Sequence, residues 1–135
     1  MKQKIKDRIV SFVKANYEIL NINDFVGGRT YLNARCHLNA VQDAYDNGYK
    51  VLLTICVGND GVFVHFINQD SKGNYVDNTL GWFGKELYDY YLVREVNKRE
   101  YRTIWRLLNN TKKSLININS SWIERKLKII KEDDI

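Results

Sequence analysis

The chain predicts an α+β domain in which N-terminal helices pack on a central antiparallel meander of about four strands and further helices follow, in the layered manner of that class. Three observations carry this. Apolar residues recur at helical spacing over residues 3–20 and 34–47. Between 51 and 94 the pattern changes to β-branched and aromatic runs separated by Gly-, Asn- and Asp-rich turns. Helical spacing returns after Asn97.

The first segment places Ile5, Ile9, Phe12, Val13 and Ile19 or Leu20 on one side and charges on the other, an amphipathic helix. Residues 21–33 read as a loop around Gly27 and Gly28, where the backbone can take unusual angles or approach a neighbour closely. A second helix over 34–47 buries Leu38, Val41, Ala44 and Tyr45, stops at Asn47 and Gly48, and takes Asn33 as its N-cap, which puts Cys36 in the first turn. Residues 51–57 are a strand by β-branching, 58–61 a tight hairpin turn, and 62–67 the returning strand. A turn over 71–74 leads to a third strand over 75–77, then a loop over 78–84 holding Trp82 and Phe83. Residues 88–94 form the fourth strand, with Tyr90, Leu92 and Arg94 on one face. A helix over 99–108 carries Tyr101, Ile104, Trp105 and Leu108, a link follows at Asn109 and Asn110, and Ser120 and Ser121 cap a last helix with Trp122, Ile123, Leu127 and Ile130. Residues 131–135 are charged and expected to fray.

At 135 residues, with 44% hydrophobic and 27% charged positions, the chain fits one folded domain over 1–135 and excludes disorder of its body. Two cysteines make no disulfide framework. Lys14, Asn16 and Glu18 interrupt the N-terminal apolar pattern, against a signal peptide, and no apolar run reaches membrane-spanning length. The expectation is a protein kept in a reducing cytoplasm, in a host cell or a virion if phage-encoded, without membrane partners. The absence of proline and the abundance of Asn, Ile, Lys and Tyr match an AT-rich bacterial or phage genome. A net charge of +5 is mild and its cations are interspersed with acids, so a nucleic-acid partner is a third reading only.

Cys36, His65 and Asp77 carry the chemistry. A thiol in the first turn of a helix feels the positive end of the helix dipole, which favours thiolate. A histidine on a neighbouring strand can pair with that thiolate, and a polar group on the next strand can hold the imidazole tautomer. Strand register decides that group: a three-residue turn after the second strand sets His65 against Asp77, and a four-residue turn sets it against Asn78. A Cys-helix, a His-bearing antiparallel strand and an Asp or Asn on the following strand resemble, over about residues 30–94, the papain-like superfamily, with the layout of its NlpC/P60 and CHAP amidase-peptidases. The resemblance implies a peptidase or amidase with Cys36 as nucleophile, His65 as general base and Asp77 as orienting group. It implies no cofactor and no metal. Those families usually set the cysteine beside Gly, Ser, Thr or Trp, whereas Arg35 and His37 flank it here. Tyr31, Asn33 and the Cys36 backbone N–H are the candidates for contacting the substrate oxygen, and Trp82 for a substrate wall.

The alternatives are a catalytically inactive protein of the same fold, binding a protein partner or serving as a phage structural or accessory component, and a small nucleic-acid-associated protein. His37 points about 100° away from Cys36 on a helix and reads as a surface or cap residue. Cys56 reads as a core residue that a two-residue turn at Asp60 and Gly61 would set across from His65. A zinc site built from Cys36, His37, Cys56 and His65 lacks the paired-cysteine spacing that zinc sites use.

Overall fold

The computed structural model describes residues 3–30, 36–59 and 61–109. In chain order they form α1 (Gln3–Asn16), β1 (Glu18–Ile19), a single 3₁₀ turn (Ile22–Asp24), β2 (Phe25–Val26), α2 (Cys36–Asn47), β3 (Lys50–Gly58), β4 (Gly61–Gln69), β5 (Tyr75–Val76), α3 (Trp82–Leu87), β6 (Tyr88–Glu95) and α4 (Lys98–Asn109). The class is α+β, as expected. The expected last helix over 120–130, the tail over 131–135 and the N-cap Asn33 lie outside the described residues.

The sheet differs from a four-stranded meander. It has six strands in the order β1-β6-β3-β4-β5-β2. Strands β3, β4 and β5 do follow one another as hairpins, but β6 then returns to the other side of β3. Two short strands were hidden in segments read as helix end and loop: Glu18 and Ile19 pair with Leu92 and Tyr91, and Phe25 and Val26 pair in parallel with Tyr75 and Val76. Two-residue strands carry no alternation of their own and form only because an edge is offered to them. The loop expected over 78–84 also winds into α3, after Gly81 takes a φ of 59°.

Strand β3 is buried on both faces from Val51 to Cys56, which explains its unbroken apolar run. On one face Val51, Leu53, Ile55, Val62 and Val64 meet Ile9 and Val13 of α1, Ala40 and Val41 of α2, and Tyr101 of α4. On the other, Leu52, Cys56, Ile67 and Tyr90 meet Leu20 and Phe25. Ile9, Ile55 and Ile67 have no exposed surface, and each such side chain contributes about 2 kcal/mol over leaving it in water. The ladder of β3 with β6 shifts register between Leu53 and Thr54, so Leu53 faces Arg94 while Thr54 faces Leu92. This bulge at Val93 takes Arg94 off the face of Tyr90 and Leu92, where the sequence pattern had put it, and Arg94 instead holds Glu100 through two bonds of 2.8 Å. No helix of the described residues is long and apolar enough to cross a membrane.

Candidate active site

Cys36 opens α2, which lies against β4. Strand β4 pairs with β5 only at Asn68 and Gln69. The margin of β4 before Asn68 is therefore free of a strand neighbour on that side, and the start of α2 addresses it there. The half-buried Cys36 thiol interacts with the His65 imidazole through charge and hydrogen bonding, and with the backbone of Phe66. His65 is buried, 3% exposed.

The second ring nitrogen of His65 is committed. Its Nε2 lies 2.8 Å from Oδ2 of Asp77, a residue only 1% exposed. A carboxylate accepts, so Nε2 carries the proton and Nδ1 is left to face the thiol. The register that achieves this is neither of the two expected. Asn68 faces Val76 and Gln69 faces Tyr75, with residues 70–74 as the turn. Continuing that ladder sets Ile67 across from Asp77, which makes His65 the diagonal neighbour of Asp77 on the same face. The longer turn is closed by Asp70, whose carboxylate accepts from the N–H groups of Lys72 and Asn74, each at 2.9 Å.

Asp77 is bound on every side. Its Oδ1 accepts the N–H groups of Thr79 and Leu80, each at 2.9 Å, and its Oδ2 accepts the Tyr90 hydroxyl at 2.5 Å besides His65. Asn78, the alternative orienting residue, is used elsewhere: its Oδ1 accepts the Arg29 N–H at 3.0 Å and its Nδ2 donates to Asp43 of α2 at 2.7 Å. Asn39, one helical turn after Cys36, donates to Thr79 Oγ1 at 2.8 Å. These bonds tie the Cys-bearing helix to the turn that follows Asp77, so the thiol and the carboxylate are held in one frame.

The electrostatics follow from this geometry. Burial pushes the Cys36 thiol up, but the positive His65 beside it, with His37 and the Phe66 backbone, outweighs burial and brings it to about 6. Burial pulls His65 down, and the charges of Cys36 and Asp77 outweigh it and raise it to about 10. Burial would raise Asp77, yet His65 and the donors around the carboxylate hold it below the ordinary carboxylate value. The pair therefore stands as thiolate and imidazolium at neutral pH. Cys56 behaves oppositely: burial and the nearby Asp77 charge push it well above an ordinary thiol. It faces Phe63 and Tyr90, not His65, because the hairpin closes with Gly58 against Gly61.

His37 is not a surface residue. It is 2% exposed, tilted against Phe66 with ring centroids 6.3 Å apart, and neither ring nitrogen meets hydrogen-bond geometry with any partner although the ring lies close enough to favour the thiolate. Adjacent helical residues do diverge, but α2 is covered on the His37 side too. Trp82 is 53% exposed at the start of α3. Its ring lies over Gly27, where a Cβ would come within 2.7 Å of it, and carries Lys85 Nζ 4.4 Å from the ring centroid. Tyr31 and Asn33 lie outside the described residues. Beyond Asn78, a cleft of about 550 Å³ runs along α2 past Arg29, Asn39, Gln42, Asp43 and Asp46. Among the described residues no three His, Cys, Asp or Glu side chains converge as metal ligands would.

The site also draws on Tyr90, which the sequence pattern places only on a strand face with Leu92 and Arg94, and on the Thr79 and Leu80 amides. An Asp two and three residues before free N–H groups is a local turn signal that pointed to them. No sequence signal points to Tyr90, because its nearness to Asp77 depends on the return of β6 to β3. No protein-family model, no curated protein and no solved structure matches the chain.

Proposed function

We propose that the chain is a thiol hydrolase of the papain-like kind, a peptidase or amidase acting by acyl transfer to water. The observation that carries this reading is the His65 ring, held at Nε2 by Asp77 and turned at its other side to the Cys36 thiol. In the first step Cys36 thiolate attacks the carbonyl carbon of an amide, and the His65 imidazolium passes its Nδ1 proton to the leaving nitrogen. In the second, water attacks the thioester, His65 takes its proton, and Cys36 leaves as thiolate with the acid released, restoring the ion pair. Asp77 keeps its proton count throughout and fixes the ring. The Cys36 backbone N–H, at a helix N-terminus, is a donor this reading offers to the developing oxyanion.

The test is alkylation of Cys36 by iodoacetamide across pH, with the modified peptide identified by mass spectrometry so that Cys56 needs no replacement. A rate that reaches half its plateau near pH 6, and that a His65→Ala change abolishes at neutral pH, supports the reading. A thiol that reacts only in the ordinary range, indifferent to His65, sinks it.

A non-catalytic binding role on the same framework is favoured by one observation: Trp82, Phe83 and Leu87, all on α3, are each more than half exposed. In that case a Cys36→Ala variant keeps its partner, whether a protein or a phage assembly, and Trp82→Ala loses it. For the hydrolase reading we place the action in a reducing cytoplasm, where Cys36 stays a free thiol.

A further inference from the structure

We propose that Tyr90 is a positioning residue of this site, its hydroxyl clamping the Asp77 carboxylate and through it the tautomer and angle of the His65 ring. The catalytic consequence rests on the thiol-hydrolase reading; the clamp itself does not.

Two donors share one oxygen. Tyr90 Oη and His65 Nε2 both donate to Asp77 Oδ2, at 2.5 and 2.8 Å, while the Thr79 and Leu80 amides occupy Oδ1. A carboxylate held only by the two amides could still rotate about its side-chain torsions and offer His65 a different oxygen or none. The short bond to a rigid, 2% exposed phenol removes that freedom. Strand β3 sets the distance. Cys56 of β3 faces Tyr90 on one side, and Thr54 of β3 faces His65 on the other, so the two rings stand on one face with β3 between them, centroids 6.0 Å apart. Phe25 packs on the Tyr90 ring at 4.7 Å and fixes its plane.

The surroundings are shaped to admit the hydroxyl. Gly84 of α3 lies directly against it: a Cβ there would fall onto Tyr90 Oη and within 3.0 Å of Asp77 Oδ2. Burial and the adjoining Asp77 charge keep the phenol protonated far beyond any working pH, so it donates at all times. A buried tyrosine needing only a satisfied hydroxyl would be served by any carbonyl. This one takes the oxygen that also holds the histidine, which is the reason to assign it to the site.

The experiment uses the full chain as wild type, Tyr90→Phe and Gly84→Ala. Tyr90→Phe keeps the ring packing and removes only the donor; Gly84→Ala keeps the donor and displaces it. The primary readout is the tautomer and solvent protection of the His65 imidazole by ¹H–¹⁵N NMR. Expected in wild type at neutral pH is one imidazolium with a protected Nε2–H, and in both variants faster imidazole proton exchange with a neutral fraction of mixed tautomers, the remaining amide spectrum being unchanged for Tyr90→Phe. The second readout is acylation of Cys36 by p-nitrophenyl acetate, expected to fall at least about tenfold in Tyr90→Phe, because a misplaced imidazolium no longer holds the thiolate in its ionised, aligned state. An unaltered His65 tautomer and protection in a folded Tyr90→Phe protein overturns the proposal. An ordinary, slowly alkylating wild-type Cys36 overturns the hydrolase reading instead, and the imidazole spectrum still decides the clamp.

Discussion

His65 Nε2 lies 2.8 Å from Asp77 Oδ2 although the two residues are not partners in any strand ladder. The pairing of Asn68 with Val76 puts Ile67, not His65, in line with Asp77. The bond crosses a diagonal, at the point where β5 has ended and the chain has begun the turn that Thr79 and Leu80 close onto the same carboxylate. A diagonal pair of this kind needs both side chains on one face and a carboxylate fixed from behind, and both conditions are met.

An Asp77→Asn change tests the tautomer argument. The amide can present an N–H to Nε2, which then accepts, so Nδ1 carries the proton and can no longer receive one from the thiol. On the thiol-hydrolase proposal, turnover is expected to fall about 10³-fold or more, the size of effect a wrong tautomer produces in a triad. Steady-state kinetics on an ester substrate, beside a thermal scan confirming folding, measures it.

Replacing His65 tests the thiol's shift. With His65 present the thiol ionises near 6; the remaining influence of burial runs upward from the ordinary 9.0. His65→Ala is therefore expected to carry the midpoint of Cys36 alkylation from about 6 to 9.0 or higher. The pH dependence of iodoacetamide incorporation reads it directly, and an unchanged midpoint would mean that His65 has no part in ionising the thiol.

Stability should be level across neutral pH as far as this pair is concerned. Cys36 falls from 9.0 to about 6 on folding and His65 rises from 6.5 to about 10. Between 6.5 and 9.0 the unfolded pair holds one proton on sulfur and the folded pair holds one on nitrogen. The proton counts are equal, so the linkage slope is zero. Below 6.5 the unfolded histidine binds a proton before the folded thiolate does, and stability drops as pH falls. Above 9.0 the unfolded thiol gives its proton up before the folded imidazolium does, and stability drops as pH rises. Asp77, depressed in the fold, adds a further loss as pH falls through its folded value, below the ordinary 3.8. Urea unfolding midpoints for wild type minus a Cys36→Ala, His65→Gln double variant isolate the plateau; a difference that slopes steadily between 6.5 and 9.0 would exclude the ion pair.

Gly28→Ala probes the wall behind Asp77. A Cβ at Gly28 would lie 2.7 Å from the Asp77 carbonyl carbon and closer still to its oxygen. Backbone cannot rotate aside as a side chain can. The expected cost is about 2 kcal/mol of stability from overpacking, seen as a lower urea midpoint, with a loss of Cys36 reactivity as Asp77 shifts.

The α+β class, the paired central strands and the places of Cys36 at a helix start and His65 in a strand were legible because each depends on neighbours close in the chain. Helical spacing marks α2 and puts Cys36 at its start; β-branching marks β3 and β4 and puts His65 in a strand. The sequence by itself did not decide between Asp77 and Asn78, because a shift of one residue in the 70–74 turn exchanges the faces of the strand. The tertiary structure decided it through Asp70, which closes a five-residue turn, and through Asp43 and Arg29, which draw Asn78 away. It also decided what no local pattern encodes: the pairing of β1 and β2 onto edges, the burial of His37, and the arrival of Tyr90 at Asp77. Those contacts join segments far apart in the chain, and the return of β6 to β3 fixes which side chain meets which.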